Sequence, residues 1–261
     1  MIVAELLRNS SPRGIFRMWQ RNFKVYRKLF LQSMAPTLLE PLIYLLSLGI
    51  GLGLLVRQVE GIPYLQFISP GLVASTTLFG ASYECTFNSF VRMKYQKTYD
   101  AILATPVNIE EIVLGEIFWG ATRSLINATA FLAVIWAFGL VKSPLALLLL
   151  PLLFISGLMF GVVGMTFTGL VSNISLFNYY FTIFVTPSFL FSGIFFPVKN
   201  LPGWAQALAS YTPLFHVVRV SRSLALGRLN GTVVADVIYI TGLTTLFFLV
   251  PVYLMKRKMI K

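Results

Sequence analysis

At 261 residues the chain has room for one or two soluble domains, but 57% hydrophobic, 15% aromatic and only 11% charged residues, with mean hydropathy +0.79, exclude that class, whose charged share is about 25%. Stretches of about 20 apolar residues, enough to cross a hydrocarbon core of about 30 Å, take up more than half the sequence and leave no room for a sizeable soluble domain. The formal charge of +12 is therefore read against a membrane rather than a nucleic acid: Arg8, Arg13, Arg17, Arg21, Lys24, Arg27 and Lys28 precede the first apolar stretch, and Lys256, Arg257, Lys258 and Lys261 follow the last.

Residues 13–30 predict an amphipathic helix. Ile15, Met18, Trp19, Phe23, Tyr26 and Phe30 recur at helical spacing, while Arg13, Arg17, Arg21, Lys24 and Lys28 line the other side, and Ser11-Pro12 is a start signal. Such a helix lies in the interface, its apolar face among acyl chains and its basic face at anionic headgroups, as a surface anchor or a mechanical part. The basic stretch runs to Lys28 and the apolar part after it outlasts a signal-peptide core, so the segment reads as retained.

Six spans follow: 38–56, with a bend or broken start at Pro36 and Pro41; 65–90; 113–140; 145–171; 176–196; and 233–255. With both termini cytoplasmic, inside segments hold fourteen basic residues and outside segments six (Arg57, Lys142, Lys199, Arg219, Arg222 and Arg228), Arg123 lying within a span, in agreement with the positive-inside rule. Small residues one turn apart, Ser47 with Gly51, Gly49 with Gly53 and Gly157 with Gly161, suit close packing inside the bundle or a homodimer seam.

Between spans two and three lies "RMKYQKTYDAILATPVNIEEIVLGE". Tyr99 to Ala104 predicts one short helix, Thr105-Pro106 breaks it, and Asn108 with Glu111 forms a capping box for span three. A short helix on a cytoplasmic hairpin suits docking better than plain connection. The ionisable residues within spans are Glu40, Glu84, Glu116 and Arg123, each costing about 2.5–3.5 kcal/mol at a helix centre. Glu84 lies eight residues before Arg92, about 12 Å along a helix, and Arg123 lies at similar depth, so the two either pair or line a polar path. In the last outer segment, Phe196 to Gly231, Pro202 and Pro213 favour re-entrant or interfacial helices, with Trp204 and Tyr211 at headgroup level. His216, Arg219 and Arg222 fall along one helix side, to meet an anionic headgroup or sugar, or to bond neighbouring backbone.

Catalysis finds little support. No Gly-Lys pair exists, so a phosphate-binding loop of the G-x-x-x-x-G-K-[ST] form is absent. Asp100 and Asp236 sit near opposite membrane faces, which disfavours an aspartyl protease. His216 is the single histidine and no Gly-x-Ser-x-Gly elbow accompanies it. With one cysteine, Cys85, neither an intrachain disulfide nor metal or redox chemistry is indicated.

The six-span plan, the basic N-terminal helix, "TPVNIEEIVLGE" and "FPVKNLPGWAQALASYTPLFHVVRVSRSL" together resemble the type-2 permease family of ATP-binding cassette exporters. "EPLIYLLSLGIGLG" and "YECTFNSFVRMKYQKTYDAILATPVNIEEIVLGEIFWGAT" are most similar to its nodulation protein J branch, and the similarity spans nearly the whole chain. The resemblance implies an all-α integral membrane permease of the bacterial inner membrane with six transmembrane helices, an amphipathic N-terminal helix (1–30), a coupling segment (92–112) and outer re-entrant helices (197–231). It implies no enzyme activity or cofactor on this chain: ATP and Mg would belong to a separate cytoplasmic ATPase, two copies of which pair with two permeases. Tyr99, Asp100, Ala101, Ile102 and Leu103 would form the coupling helix seated in that ATPase, and the helix of Arg13, Arg17, Trp19 and Arg21 the connecting helix. The implied cargo is an amphipathic lipid-linked oligosaccharide or polysaccharide moved outward, with drug or lipid efflux as the alternative within the family. Outside it stand a membrane scaffold and an ion-gradient transporter; the latter expects midplane ionisable residues, which Glu84 and Arg123 supply, and an internal repeat, of which no convincing one is found.

Overall fold

The computed structural model describes residues 11–260, so Arg8, Lys261 and the first ten positions of the expected 1–30 segment lie outside the described residues. In chain order come α1 (Pro12–Lys28), α2 (Phe30–Leu55), a hairpin of β1 (Gln58–Val59) and β2 (Ile62–Pro63), α3 (Tyr64–Tyr83), α4 (Thr98–Leu103) and α5 (Ile109–Ala137). Then follow α6 (Leu149–Leu170), α7 (Phe177–Tyr180), α8 (Thr186–Phe191), α9 (Gly203–Tyr211), α10 (Pro213–Leu226), α11 (Thr232–Phe247) and α12 (Val250–Met259). The fold is an all-α bundle; the hairpin turns on Glu60 and Gly61, both at positive φ, the geometry of a tight two-residue β-turn.

Among the described residues five helices are long and apolar enough to cross a membrane: Phe30–Leu55, Ile109–Ala137, Pro144–Leu170, Ile174–Phe191 and Thr232–Met259. The expected second span, 65–90, forms a helix but is not among them on apolarity. Its polar residues are quiet, since Ser75, Thr76 and Thr77 donate back to the Leu72, Val73 and Ala74 carbonyls, and Pro70 is accommodated inside α3. Beyond Tyr83 this helix continues through two wide π-helical stretches, Glu84–Asn88 and Val91–Tyr95.

Contacts define two ends. At one, the Ser11 amide meets Glu111, Lys256 reaches Glu110 at 2.6 Å, and Lys94 reaches the Ser172 carbonyl at 2.8 Å. Both described termini, the 96–108 hairpin and the 171–174 turn therefore share this end. At the other, Lys199 pairs with Glu60, Tyr64 donates to the Phe195 carbonyl, and the amides of Lys142 and Ser143 meet the Ala225 carbonyl. A large apolar cluster including Phe67, Leu72, Phe131, Leu153, Phe160 and Leu214 fills the middle and the second end; a smaller one including Met18, Tyr99, Ile112, Met165 and Met255 knits α1, α4, α5, α6 and α12 at the first.

Two expectations change. The prolines at 36 and 41 do not interrupt α2, which runs unbroken from Phe30; the break falls at Leu29, with φ −113° and ψ 23°. Helix α1 does not give its whole apolar face to lipid. Gly14, Met18, Asn22 and Tyr26, at four-residue steps, are buried against the first turns of α5, where Gly115 lets Met18 approach: a Cβ there would stand 2.6 Å from that of Met18. Phe16, Val25 and Phe30 are exposed instead.

Gly157 and Gly161 take the packing role: a Cβ on Gly157 would come within 3.0 Å of the Ala121 Cα on α5, and one on Gly161 within 3.3 Å of the Cys85 sulfur. Gly51 and Gly53 meet nothing within 4 Å, and Gly49 faces Leu65.

Candidate functional site: a buried ion network behind a short surface helix

The short helix α4 forms where expected. Lys97, at φ 54°, turns the chain into it, and the Thr105 hydroxyl, donating to the Ile102 carbonyl at 2.6 Å, closes it. Its residues divide. Asp100 and Ala101 are exposed, Ile102 and Leu103 are half-buried, and Tyr99 is fully buried, its hydroxyl sharing a 2.8 Å hydrogen bond with Ser89 on the preceding helix. Tyr99 is thus the anchor of α4 and not part of the face it presents. Burial, with the Glu116 carboxylate nearby, raises the Tyr99 phenol well above its ordinary pKa, so it stays neutral.

The capping box is present, and Glu111 does more than close it. One of its oxygens accepts from the Asn108 amide at 2.9 Å and the other from the Ser11 amide at 2.8 Å, so one carboxylate joins the starts of α1 and α5.

Glu84 and Arg123 pair, as one of the two sequence readings had it, and they do so inside a larger network. The Glu84 carboxylate, 1% exposed, also accepts from Arg92 at 2.7 Å, Asn88 at 2.8 Å and the Trp119 indole at 3.0 Å. Arg92 bridges onward to Glu116 at 2.5 Å, and Asn22 of α1 donates to the same carboxylate at 3.2 Å. Arg21 donates to Asn22 at 2.8 Å, and burial lowers its pKa while Glu116 opposes the shift. Trp19 donates to Thr122 at 3.0 Å. Of the expected interfacial residues, Arg13 and Arg17 are exposed, whereas Trp19 and Arg21 are half-buried and tied to the bundle. Buried charges are tolerable when paired and hydrogen-bonded, and two carboxylates here meet two guanidiniums, the Arg92 Nε alone among the atoms of these pairs being buried without a hydrogen-bond partner.

Sequence reasoning placed Arg92 in the connecting segment and left out its role. The π-helical stretch Val91–Tyr95 carries it back toward the carboxylates, and no periodicity rule anticipates that. Glu116 was visible as a charge within a span; Asn22 was not singled out, and the signal that could have found it is a polar residue between Met18 and Tyr26 on the apolar side of α1. Glu40 is exposed on α2 and takes no part.

At the other end the expected row is divided and occupied. His216 Nδ1 meets Asp236 at 2.7 Å and its Nε2 meets the Ser210 carbonyl at 2.9 Å. Arg219 forms a two-pronged pair with Asp236, its Nε at 2.6 Å. Arg222 donates to the Phe67 carbonyl at 3.1 Å and the Gly193 carbonyl at 2.8 Å. The three do not present one free basic side; of the two readings, backbone bonding holds for Arg222 and, through Nε2, for His216, while Asp236, which the sequence reading did not pair with them, holds Arg219 and the other nitrogen of His216. Trp204 and Tyr211 are 68% and 77% exposed.

The sequence pattern of the ABC-2 type transporter family matches residues 13–226. The chain belongs to that family. This ABC-2 transporter chain is 38% identical over 209 residues to nodulation protein J of Rhizobium meliloti (strain 1021), covering 80% of each, and 32% identical to nodulation protein J of Sinorhizobium fredii (strain NBRC 101917 / NGR234), covering 96% of each. It is 27% identical to the inner membrane transport permease YadH of Escherichia coli (strain K12), covering 77% of this chain and 78% of that one. The family supplies the membrane component of transporters, and the apolar helices make this ABC-2 chain a multi-pass membrane protein.

Proposed function

We propose that this chain is the permease subunit of an ATP-binding cassette exporter, driven by ATP that a separate cytoplasmic subunit binds with Mg and hydrolyses. Two permeases work with two ATPases in the inner membrane, with six crossings and both termini cytoplasmic. The cargo is an amphipathic molecule, a lipid-linked oligosaccharide or polysaccharide, moved outward. The relative named as an inner membrane transport permease supports transport and that membrane.

One observation carries the ATPase partnership: α4 stands at the end of the bundle that holds both described termini, offers Asp100 and Ala101 to solvent, and is pinned by Tyr99 to the helix that carries Arg92. A push on its exposed face is thereby delivered to Ser89 and to the Arg92 bridge between Glu84 and Glu116. A docking surface that is exposed outside and rigidly tied inside is what transmission of a partner's movement requires.

The test is purification through a C-terminal tag from the native host, with Asp100→Arg/Ala101→Arg beside the unaltered chain. The expected result is an ATPase at one copy per permease with the unaltered chain, and its loss with the double variant at unchanged membrane level and melting temperature. An unaltered chain that purifies as a stable particle without ATPase overturns the reading. So does a double variant that keeps both the partner and transport.

A further inference from the structure

The end of the bundle opposite the termini holds a cleft of about 410 Å³ between the β1–β2 hairpin, the turn after α8 and helix α10. Its charged lining is Lys199, Arg219, Arg222 and Arg228 against one carboxylate, Glu60. Asp236 neutralises Arg219 from behind, and Glu60 pairs with Lys199 at 2.7 Å, both side chains well exposed. Arg222 differs from the rest. Its guanidinium is sunk in the wall, bonded to the Phe67 and Gly193 carbonyls and stacked 3.8 Å from the centroid of the Phe67 ring, and no carboxylate among the described residues pairs with it.

Carbonyl oxygens and an aromatic face orient a guanidinium without neutralising it, and the one carboxylate that acts on Arg222, Glu60, does so across the cleft while paired with Lys199, so the Arg222 charge stays directed at the cleft. Arg228 adds a second cation with no carboxylate partner among the described residues. A concave site walled by apolar Val218 and Leu226, with two guanidiniums that form no salt bridge among the described residues and an exchangeable lysine, suits a compact multivalent oxyanion, because guanidinium forks match phosphate oxygens.

We propose that this cleft binds a phosphate-type anion through Arg222, Arg228 and Lys199. The same chemistry is offered by the headgroup of an anionic lipid at the membrane surface, which Trp204 and Tyr211 on neighbouring α9 mark, and by free phosphate in solution. Glu60 is the gate of the site: the arriving anion takes Lys199 from it. The proposal does not depend on an ATPase partner and stands or falls separately from the exporter reading.

The test uses the full-length chain in neutral detergent, titrated with dihexanoyl phosphatidic acid, dihexanoyl phosphatidylcholine and inorganic phosphate, with binding read by calorimetry and adduct count by native mass spectrometry. Saturable one-to-one binding of the anionic lipid is expected, weakening with salt and falling roughly tenfold in Lys199→Gln/Arg228→Gln, which alters only exposed side chains. Phosphatidylcholine should bind at least tenfold more weakly. Inorganic phosphate that competes with equal affinity assigns the site to the free anion; phosphate that fails to compete assigns it to the lipid headgroup. Glu60→Gln, which frees Lys199, should tighten binding severalfold. Absence of saturable binding, or equal binding by the Lys199/Arg228 double variant, overturns the proposal.

Discussion

The two ends of the bundle each gather arginines, and they treat them in opposite ways. At the end that holds the termini, Arg92 and Arg123 meet Glu84 and Glu116, with Asn88 and Trp119 also donating to Glu84 and Asn22 to Glu116. The charges of these four side chains balance, and three elements, α1, α5 and the helix through Arg92, are clamped together around a cleft of about 210 Å³. At the other end Arg222 rests on carbonyls and an aromatic ring, and Arg228 stands without a carboxylate partner among the described residues. Guanidiniums alone do not make a binding site; what distinguishes structural from ligand-seeking arginines is whether the protein supplies their counter-charge.

The sharpest attempt to break this contrast is Glu84→Ala. Two guanidiniums would be left partly or wholly unpaired, a loss of about 3–5 kcal/mol, read as a large drop in melting temperature in detergent. A Glu84→Met/Arg123→Met double variant should recover a good part of it, because the burial penalty disappears together with the pair. A Glu84→Ala protein that melts like the original would end the view of this network as a clamp. Asp236→Asn comes next, expected to cost about 1.5–3 kcal/mol, since Arg219 keeps access to water when its partner loses charge. Lys199→Gln/Arg228→Gln should move stability by less than about 0.5 kcal/mol, within the ordinary range of surface changes, while still weakening anion binding. A large stability loss in that last variant would show that these cations, too, are structural.

Much of this was legible in the sequence because it rests on local rules. Ser11-Pro12 starts α1, Asn108 and Glu111 cap α5, Thr105-Pro106 ends the short helix, and the apolar stretches predict the traversing elements. The Glu84–Arg123 pair was within reach because both lie at similar depth on neighbouring helices. Four things were not. The inward roll of Arg92 depends on π-helical stretches, which carry no composition signal. The burial of Tyr99 depends on Ser89 from another segment, and the capture of His216 and Arg219 depends on Asp236, distant in sequence. The placement of α1 against α5 was missed because a stripe of Met18 and Tyr26 suits lipid and protein equally well; Gly115, which admits Met18, reveals the choice only once the two helices are side by side.

The single cysteine gives this molecule an unintended convenience. Cys85 is wholly buried, with Gly120 and Gly161 pressed close around its sulfur. A thiol shielded on every side is silent to water-soluble alkylating reagents, so the native chain is already a blank background for chemistry aimed at introduced cysteines. One thiol placed at Lys97 and another at Lys199, both highly exposed and at opposite ends of the bundle, would report by impermeant labelling of intact cells which end faces the medium. The close packing that left no room for a larger side chain beside that sulfur also leaves the protein ready to be mapped, one position at a time, without first being altered.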